Sequence, residues 1–339
     1  MGYLEFSALS RLVAVVDSVG GGSRVSVLHF EVGSQELLKA GRYGKVVGDS
    51  VNLTTVASIG NPADHALMFL REWRESKRES LHTTGSLIVV PDIAELPWPD
   101  LADGNQILFV QNPRLEFARL LQFIVRSREQ SIRYRYRELP GGTNIEESSS
   151  IGSETIIGRA VTIEHNVRIG AHCTIGAGVR LLSGTTIGDS CTVRENTVIG
   201  GQGFGFERDG EGRVVRLPHV GGVAIGSRVE VGSLVTICAG AIDPTVIEDD
   251  VAIDDHVHVA HNCHIGQQVT VTACAELSGS VRVGARSWIA PNASVMNGIE
   301  LGEDCFVGLG AVVIMGCKAG DVLIGNPARA IRNKRVDGK

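Results

Sequence analysis

The stretch from Ile151 to Gly200, IGSETIIGRAVTIEHNVRIGAHCTIGAGVRLLSGTTIGDSCTVRENTVIG, carries an aliphatic residue at every sixth position. Counted from Ile145 the series is Ile151, Ile157, Ile163, Ile169, Ile175, Leu181, Ile187, Val193 and Ile199. It breaks, returns as Ile225, Val231 and Ile237, and breaks again. From Ile247 it runs through Ile253, Val259, Ile265, Val271, Leu277, Val283, Ile289, Val295, Leu301 and Val307 to Val313 without a miss. Neither the 3.6-residue period of a helix nor the two-residue period of a strand produces this spacing. A three-sided coil does. Each hexapeptide forms one short side, three make an 18-residue turn, and the aliphatics stack inward from turn to turn. At a strand spacing of roughly 4.8 Å the repeats build a prism about 40 Å long. The fold class is therefore mainly β: a parallel β-helix of hexapeptide repeats preceded by a small α/β domain. Gly follows the aliphatic at Gly152, Gly158, Gly170, Gly176, Gly188, Gly226, Gly232, Gly266, Gly284 and Gly308. The expectation is a tight corner there that needs unusual φ/ψ.

Four segments follow: an α/β domain over 1–125, a connector over 126–144, the β-helix over 145–318 and a short tail over 319–339. Within the first, Leu87–Val90 and Ile107–Val110 read as strands. Asn112-Pro113 then supplies an N-cap and first helical residue, with Leu115, Ala118, Leu121 and Ile124 at helical spacing. The connector includes Arg133-Tyr134-Arg135-Tyr136-Arg137, read as a solvated edge strand.

A net charge of -6 leaves no electrostatic footprint for nucleic acid. The longest early apolar run, Leu12–Val16, falls far short of the roughly 20 residues that span a bilayer. No cleavable leader is visible, so the reading is a soluble, cytoplasmic protein. The seven cysteines are odd in number and lack a Cys-x-x-Cys pair. Cys173, Cys191, Cys263, Cys305 and Cys317 each stand four residues after a repeat aliphatic, a slot for small inward-facing side chains.

Core aliphatics do no chemistry, so function belongs to loops that leave the coil and to polar corner residues. The break between Ile199 and Val223 contains Gly203-Phe204-Gly205-Phe206. It lacks the strand-to-helix setting of a phosphate-binding glycine loop and reads as an extruded loop covering a ligand. His256, His258, His261 and His264 crowd nine residues. Imidazoles invite a metal, but the period wraps these four around the coil, and no metal site is assigned. A β-helix metalloenzyme of the carbonic anhydrase type, with a site shared between chains, is the reading of a different class. His261 has another distinction: Gly279 lies 18 residues later, one coil above. A base and a bare backbone N–H thereby come to nearly one place.

Taken in order, these motifs resemble the UDP-3-O-acylglucosamine N-acyltransferase (LpxD-like) family of lipid A enzymes. The likeness covers most of the chain. Asn112–Arg119 resembles its NPxxxxAR helix start, and Gly203–Phe206 its GFGY loop. Leu217-Pro218-His219-Val220-Gly221 is similar to IPQIG, Ile253-Asp254-Asp255 to IDN, and Val259-Ala260-His261-Asn262 to IAHN. The resemblance implies a left-handed β-helix and a homotrimer with sites in clefts between adjacent helices. It also implies no bound cofactor. His261 would be the general base and the Gly279 N–H the oxyanion donor, with Asp254, Asn262 and His258 in support. The acyl group would arrive as the phosphopantetheine thioester of 3-hydroxyacyl carrier protein and go to the amine of a nucleotide-linked amino sugar. Phe69, Trp73 and Asn297 would be nucleotide contacts.

The sequence departs from the family at three places. The histidine of its NGH motif is replaced in Asn297-Gly298-Ile299, and its TIDRG reads Thr236-Ile237-Cys238-Ala239-Gly240. Its C-terminal helical extension has no counterpart; Gly325-Asn326-Pro327-Ala328-Arg329 is similar to the ending of acetyl-CoA-dependent sugar acetyltransferases. A CoA-dependent N-acyl- or acetyltransferase of another nucleotide amino sugar is thus the alternative.

Overall fold

The computed structural model describes residues 28, 30–39, 41, 43, 45–72, 83–92 and 103–333. Two compact units divide the chain: 1–133 with 205–218, and 134–204 with 219–339. Trp73 lies outside the described residues.

The second unit is a left-handed parallel β-helix whose three faces are the three sheets of the coil. Strand partners are 18 residues apart, as in Ile151↔Ile169 and Ile169↔Ile187. Across the first break the step is Ile187↔Ile225, and across the second Ile225↔Ile247. The breaks are therefore insertions that leave the coil and return it in register. The stacked aliphatics form one continuous core, with Ile163, Leu181, Ile237, Val259, Ile265, Leu277 and Ile289 all 0% exposed. Each such side chain contributes about 1.5–3 kcal/mol by leaving water.

The corner glycines are not where the backbone turns left-handed. Positive φ falls three residues after the aliphatic, at Glu154, Asn166, His172, Asn196, His256 and Asn262 among others. The glycine one residue after the aliphatic has a different cause. A Cβ on Gly152, Gly188 or Gly284 would lie 2.4–2.6 Å from backbone of the next coil. These glycines permit close stacking of coils rather than unusual dihedrals.

Segment boundaries differ from the sequence reading at both ends of the β-helix. The helix expected to finish near 125 continues over Pro113–Ser131, because Asn112 caps its start by accepting from the Leu115 N–H and nothing interrupts it before Ile132. Strands Tyr136–Leu139 and Thr143–Glu146 already belong to one face of the coil, with the first exposed at the sheet's end. Residues 319–333 are not a tail: Asp321–Gly325 pairs in parallel with Phe306–Val307 and then antiparallel with Ala328–Asn333.

In the first unit a five-stranded sheet runs in the order Lys45–Val47, Gln106–Val110, Leu87–Pro91, Ala66–Phe69, Thr55–Val56, parallel except at its Lys45–Val47 edge. Helix Pro113–Ser131 packs on it, burying Leu115, Ala118, Leu121 and Ile124. The hairpin Phe206–Arg208 with Val214–Arg216 belongs to this unit.

Candidate active site

Within the β-helix, His261 stands two residues after Val259 at the corner between the face holding His258–Val259 and the face holding His264–Ile265. Its neighbour Asn262 occupies the left-handed region at φ 59, where Asn is among the residues that fit most readily. Both ends of the Asn262 side-chain amide are held. Its Oδ1 accepts from the Ala241 N–H at 3.0 Å, and its Nδ2 donates to the Asp243 carbonyl at 3.1 Å. Its own backbone N–H donates to Thr245 Oγ1 at 2.8 Å. Those partners fix which end of the amide is oxygen. The His261 Nδ1 lies 3.1 Å from that same Oδ1. An amide oxygen only accepts, so Nδ1 must carry the hydrogen, and the lone pair of the neutral imidazole is on Nε2.

Nε2 faces Gly279. A Cβ on Gly279 would sit 2.8 Å from Nε2 and 2.7 Å from Cε1, so only a bare backbone fits beside the ring. The Ser280 N–H donates to the His261 carbonyl and the Gly298 N–H to the Gly279 carbonyl, which locks the three coils in register. Gly279 holds the second position after a repeat aliphatic, and the chain shows what an N–H there can grip. At the equivalent position Ala171, Ser183, Ser227, Ser233, Gln267 and Ala273 each donate to a carboxylate oxygen, at 2.7–3.1 Å. Corner amides of this class are anion donors in this fold.

The first insertion closes the other side. Gly203 is buried, and a Cβ there would lie 2.8 Å from the His261 Cβ and 2.9 Å from His219 Nε2. The His219 ring meets the His261 ring edge-on, with centroids 4.9 Å apart. Phe204 is 86% exposed. Gly205 and Phe206 fall in the other unit, where Arg216 lies over the Phe206 ring.

Other residues singled out from the sequence do not gather at His261 within one chain. Asp254 is on a different edge of the prism, where its carboxylate accepts from the N–H groups of Asp255 and Ala273. His258 points from its face with Nδ1 2.6 Å from Thr236 Oγ1, while His264 lies between Glu248 and Arg282. Among the described residues no three His, Cys, Asp or Glu side chains converge in a way that could hold a metal. Asn297 is exposed, one coil beyond Gly279. The sequence reading passed over Ala241, Asp243 and Thr245, which hold Asn262, and Gln202, which holds His219. For Ala241, Asp243 and Thr245 the signal is the second break in the period; Gln202 lies in the first, one residue before the glycine-phenylalanine loop.

In the first unit a cleft of about 1250 Å³ opens beside the C-terminal ends of Leu87–Pro91 and Gln106–Val110. Lys45, Arg119, Arg126 and Arg208 share its lining with Phe109 and Phe123. Tyr43 donates to Glu116 Oε1 at 2.6 Å, and burial, then the Glu116 carboxylate, pushes its phenol above the ordinary range. Phe69 is not part of this lining; its ring packs on Phe117, centroids 4.7 Å apart. No helix among the described residues is long and apolar enough to cross a membrane.

Comparison with known proteins gives three findings. The bacterial transferase hexapeptide model, a family of six repeats, matches residues 148–183, 166–201 and 244–279. The UDP-3-O-acylglucosamine N-acyltransferase of Bordetella parapertussis is 33% identical over 294 residues, 78% of this chain and 79% of that protein. The protein of the same name from Delftia acidovorans is 34% identical over 276 residues, 80% and 79% of the two chains. Among solved structures, UDP-N-acetylglucosamine acyltransferase from Campylobacter jejuni superposes with a TM-score of 0.51 at 24% identity, covering 57% of this chain and 73% of that one. The O-acyltransferase from Moraxella catarrhalis gives 0.52 at 22%, covering 58% and 74%. At these identities the structural likeness speaks to the fold.

Proposed function

This chain belongs to the UDP-3-O-acylglucosamine N-acyltransferase family, and from that membership we propose that it moves an acyl group from a thioester to the amine of a nucleotide-linked amino sugar, with His261 as general base. The relatives' name gives the acceptor as UDP-3-O-acylglucosamine, and the donor in this reading is 3-hydroxyacyl carrier protein. The sugar nitrogen attacks the thioester carbonyl while Nε2 of His261 takes its proton. The oxyanion accepts from the Gly279 N–H. On collapse the thiolate leaves with the proton returned by the imidazolium, so the products are an amide and a free thiol.

The observation that carries this reading is the fixed tautomer: Asn262, held by Ala241 and Asp243, leaves the basic nitrogen facing the bare backbone of Gly279. The cleft of the first unit is lined by Asp92, Glu116 and Asp209 as well as by Lys45, Arg119, Arg126 and Arg208, and in this reading Arg126 and Arg208 face the diphosphate of the nucleotide. We place the reaction in the cytoplasm and the enzyme in a homotrimer, whose mass light scattering would report. His261→Ala should lower turnover by about 10² or more with the fold intact. Near-normal turnover in that variant removes His261 from the role of base.

A CoA thioester as donor is favoured by one feature, the likeness of Gly325-Asn326-Pro327-Ala328-Arg329 to the ending of acetyl-CoA-dependent sugar acetyltransferases, while the absence of a histidine in Asn297-Gly298-Ile299 bears on the nucleotide sugar. Assaying acyl carrier protein and CoA thioesters against UDP-, GDP- and dTDP-linked amino sugars decides between the donors. Exclusive use of acyl-CoA, or of a sugar on another nucleotide, would overturn the first choice.

A further inference from the structure

We infer that His219 is a positioning residue for His261, holding the base imidazole in its working orientation; this rests on the reading of His261 as base. Three contacts already bound that ring: Asn262 at Nδ1, Gly279 at Nε2 and Cε1, and Gly203 at Cβ. None of the three is a contact from another flat ring. His219 supplies that contact: it is 3% exposed, with its ring at 60° to that of His261.

The support is itself rigid. Gln202 spans the insertion with two hydrogen bonds to the His219 backbone: its Nε2 donates to the carbonyl and its Oε1 accepts from the N–H, each at 2.9 Å. The flanking Val220 and Gly221 N–H groups donate to the Ala241 and Gly240 carbonyls. The first insertion therefore presents His219, and it does so against the same second insertion that holds Asn262. One insertion fixes the tautomer of the base and the other fixes the plane of its ring. Edge-to-face packing of flat rings is directional in a way that aliphatic packing is not. A misplacement of about 1 Å can cost on the order of 10²-fold in rate, so what holds the ring of a base matters.

The test compares two variants that both fill the space, His219→Phe and His219→Leu, with His261→Ala alongside. His219→Leu should lower kcat by about tenfold or more with KM for both substrates within about twofold, while His219→Phe, which restores a flat ring, recovers most of the loss. In the absence of substrate, the His261 ε1 proton should give a sharp resonance in the wild type and His219→Phe and an exchange-broadened one in His219→Leu. Equal kcat in the two variants, whether both normal or both slow, overturns the proposal, as does a sharp His261 signal in His219→Leu. If His261→Ala keeps near-normal turnover, the base reading fails instead; if it is inactive while His219→Leu is unimpaired, only the positioning role fails.

Discussion

Gly279→Ala separates the proposed catalytic geometry from the fold. The added methyl would sit 2.7 Å from Cε1 and 2.8 Å from Nε2 of His261, and among its nearest neighbours these ring atoms are the ones it meets. Gly279 does not use the left-handed region, so alanine brings no backbone strain of its own. The imidazole must therefore retreat by roughly 1 Å, away from the Gly279 N–H and out of line with Asn262, and a misplacement of that size costs on the order of 10²-fold in rate. Turnover should fall by that factor while the melting temperature moves by no more than a few degrees. Gly188→Ala supplies the contrast. Its methyl would lie 2.6 Å from the Gly226 carbonyl oxygen, a backbone atom that cannot swing aside. That variant should melt markedly lower and, at temperatures where it stays folded, turn over normally. Steady-state kinetics and thermal unfolding on both variants read the two effects independently. Gly279→Ala with turnover within about threefold of wild type would refute the placement of the reacting atoms between Nε2 and the Gly279 N–H.

Asn262→Gly keeps the left-handed backbone at φ 59 while deleting the amide that fixes the tautomer; melting should drop because the Ala241 N–H and the Asp243 carbonyl lose their partner, kcat measured where the variant is fully folded should fall by about tenfold or more, and an unaltered kcat would show that the amide does not orient the proposed base. Ile289→Ala removes a fully buried rung of the core, stacked between Val271 and Val307, and should cost about 2–5 kcal/mol in denaturant unfolding. Burial pushes the thiols of Cys191 and Cys263 up to about 11 and about 12, so at pH 8 almost none of either is thiolate. Iodoacetamide should accordingly label exposed Cys274 in the native protein and reach Cys191 and Cys263 only after unfolding, as peptide mass mapping would report.

Much of the fold was readable from one repeated constraint. An inward aliphatic every sixth residue admits a three-sided coil, and the register Ile151↔Ile169↔Ile187 is that constraint realised. What the pattern could not carry was the reason for its glycines. Gly152 and Asn166 both sit at corners, yet one is small because the next coil is close and the other is an Asn because the backbone turns left-handed there. Sequence shows which residue occupies a corner, but the distance to the coil above is a property of three dimensions. The boundaries were misplaced for a related reason. Tyr136–Leu139 pairs antiparallel with Thr143–Glu146, and although its Leu139 falls six residues before Ile145 and packs against the core, one in-phase aliphatic in an exposed, charged stretch does not mark a strand.

The site was legible where it coincided with the repeat and hidden where the repeat failed. His261 over Gly279 follows from an 18-residue turn, and the structure places the two in contact. The groups that hold the His261 ring come from the two insertions, whose residues have no register to read. Ala241 and Asp243 act through backbone N–H and C=O, which every residue has, so no side-chain pattern could announce them. Gln202 reaches His219 across 17 positions of loop. A period is conserved by packing inside the prism, and whatever departs from it must be stabilised by contacts of another kind. In this chain the departures fold back onto one corner: the longer one brings Gly203 and His219 to the ring of His261, and the shorter one brings the peptide groups that hold Asn262. The interruptions of the repeat are thus the part of the fold that sets an imidazole of fixed tautomer beside a bare backbone, the arrangement that the proposed base requires.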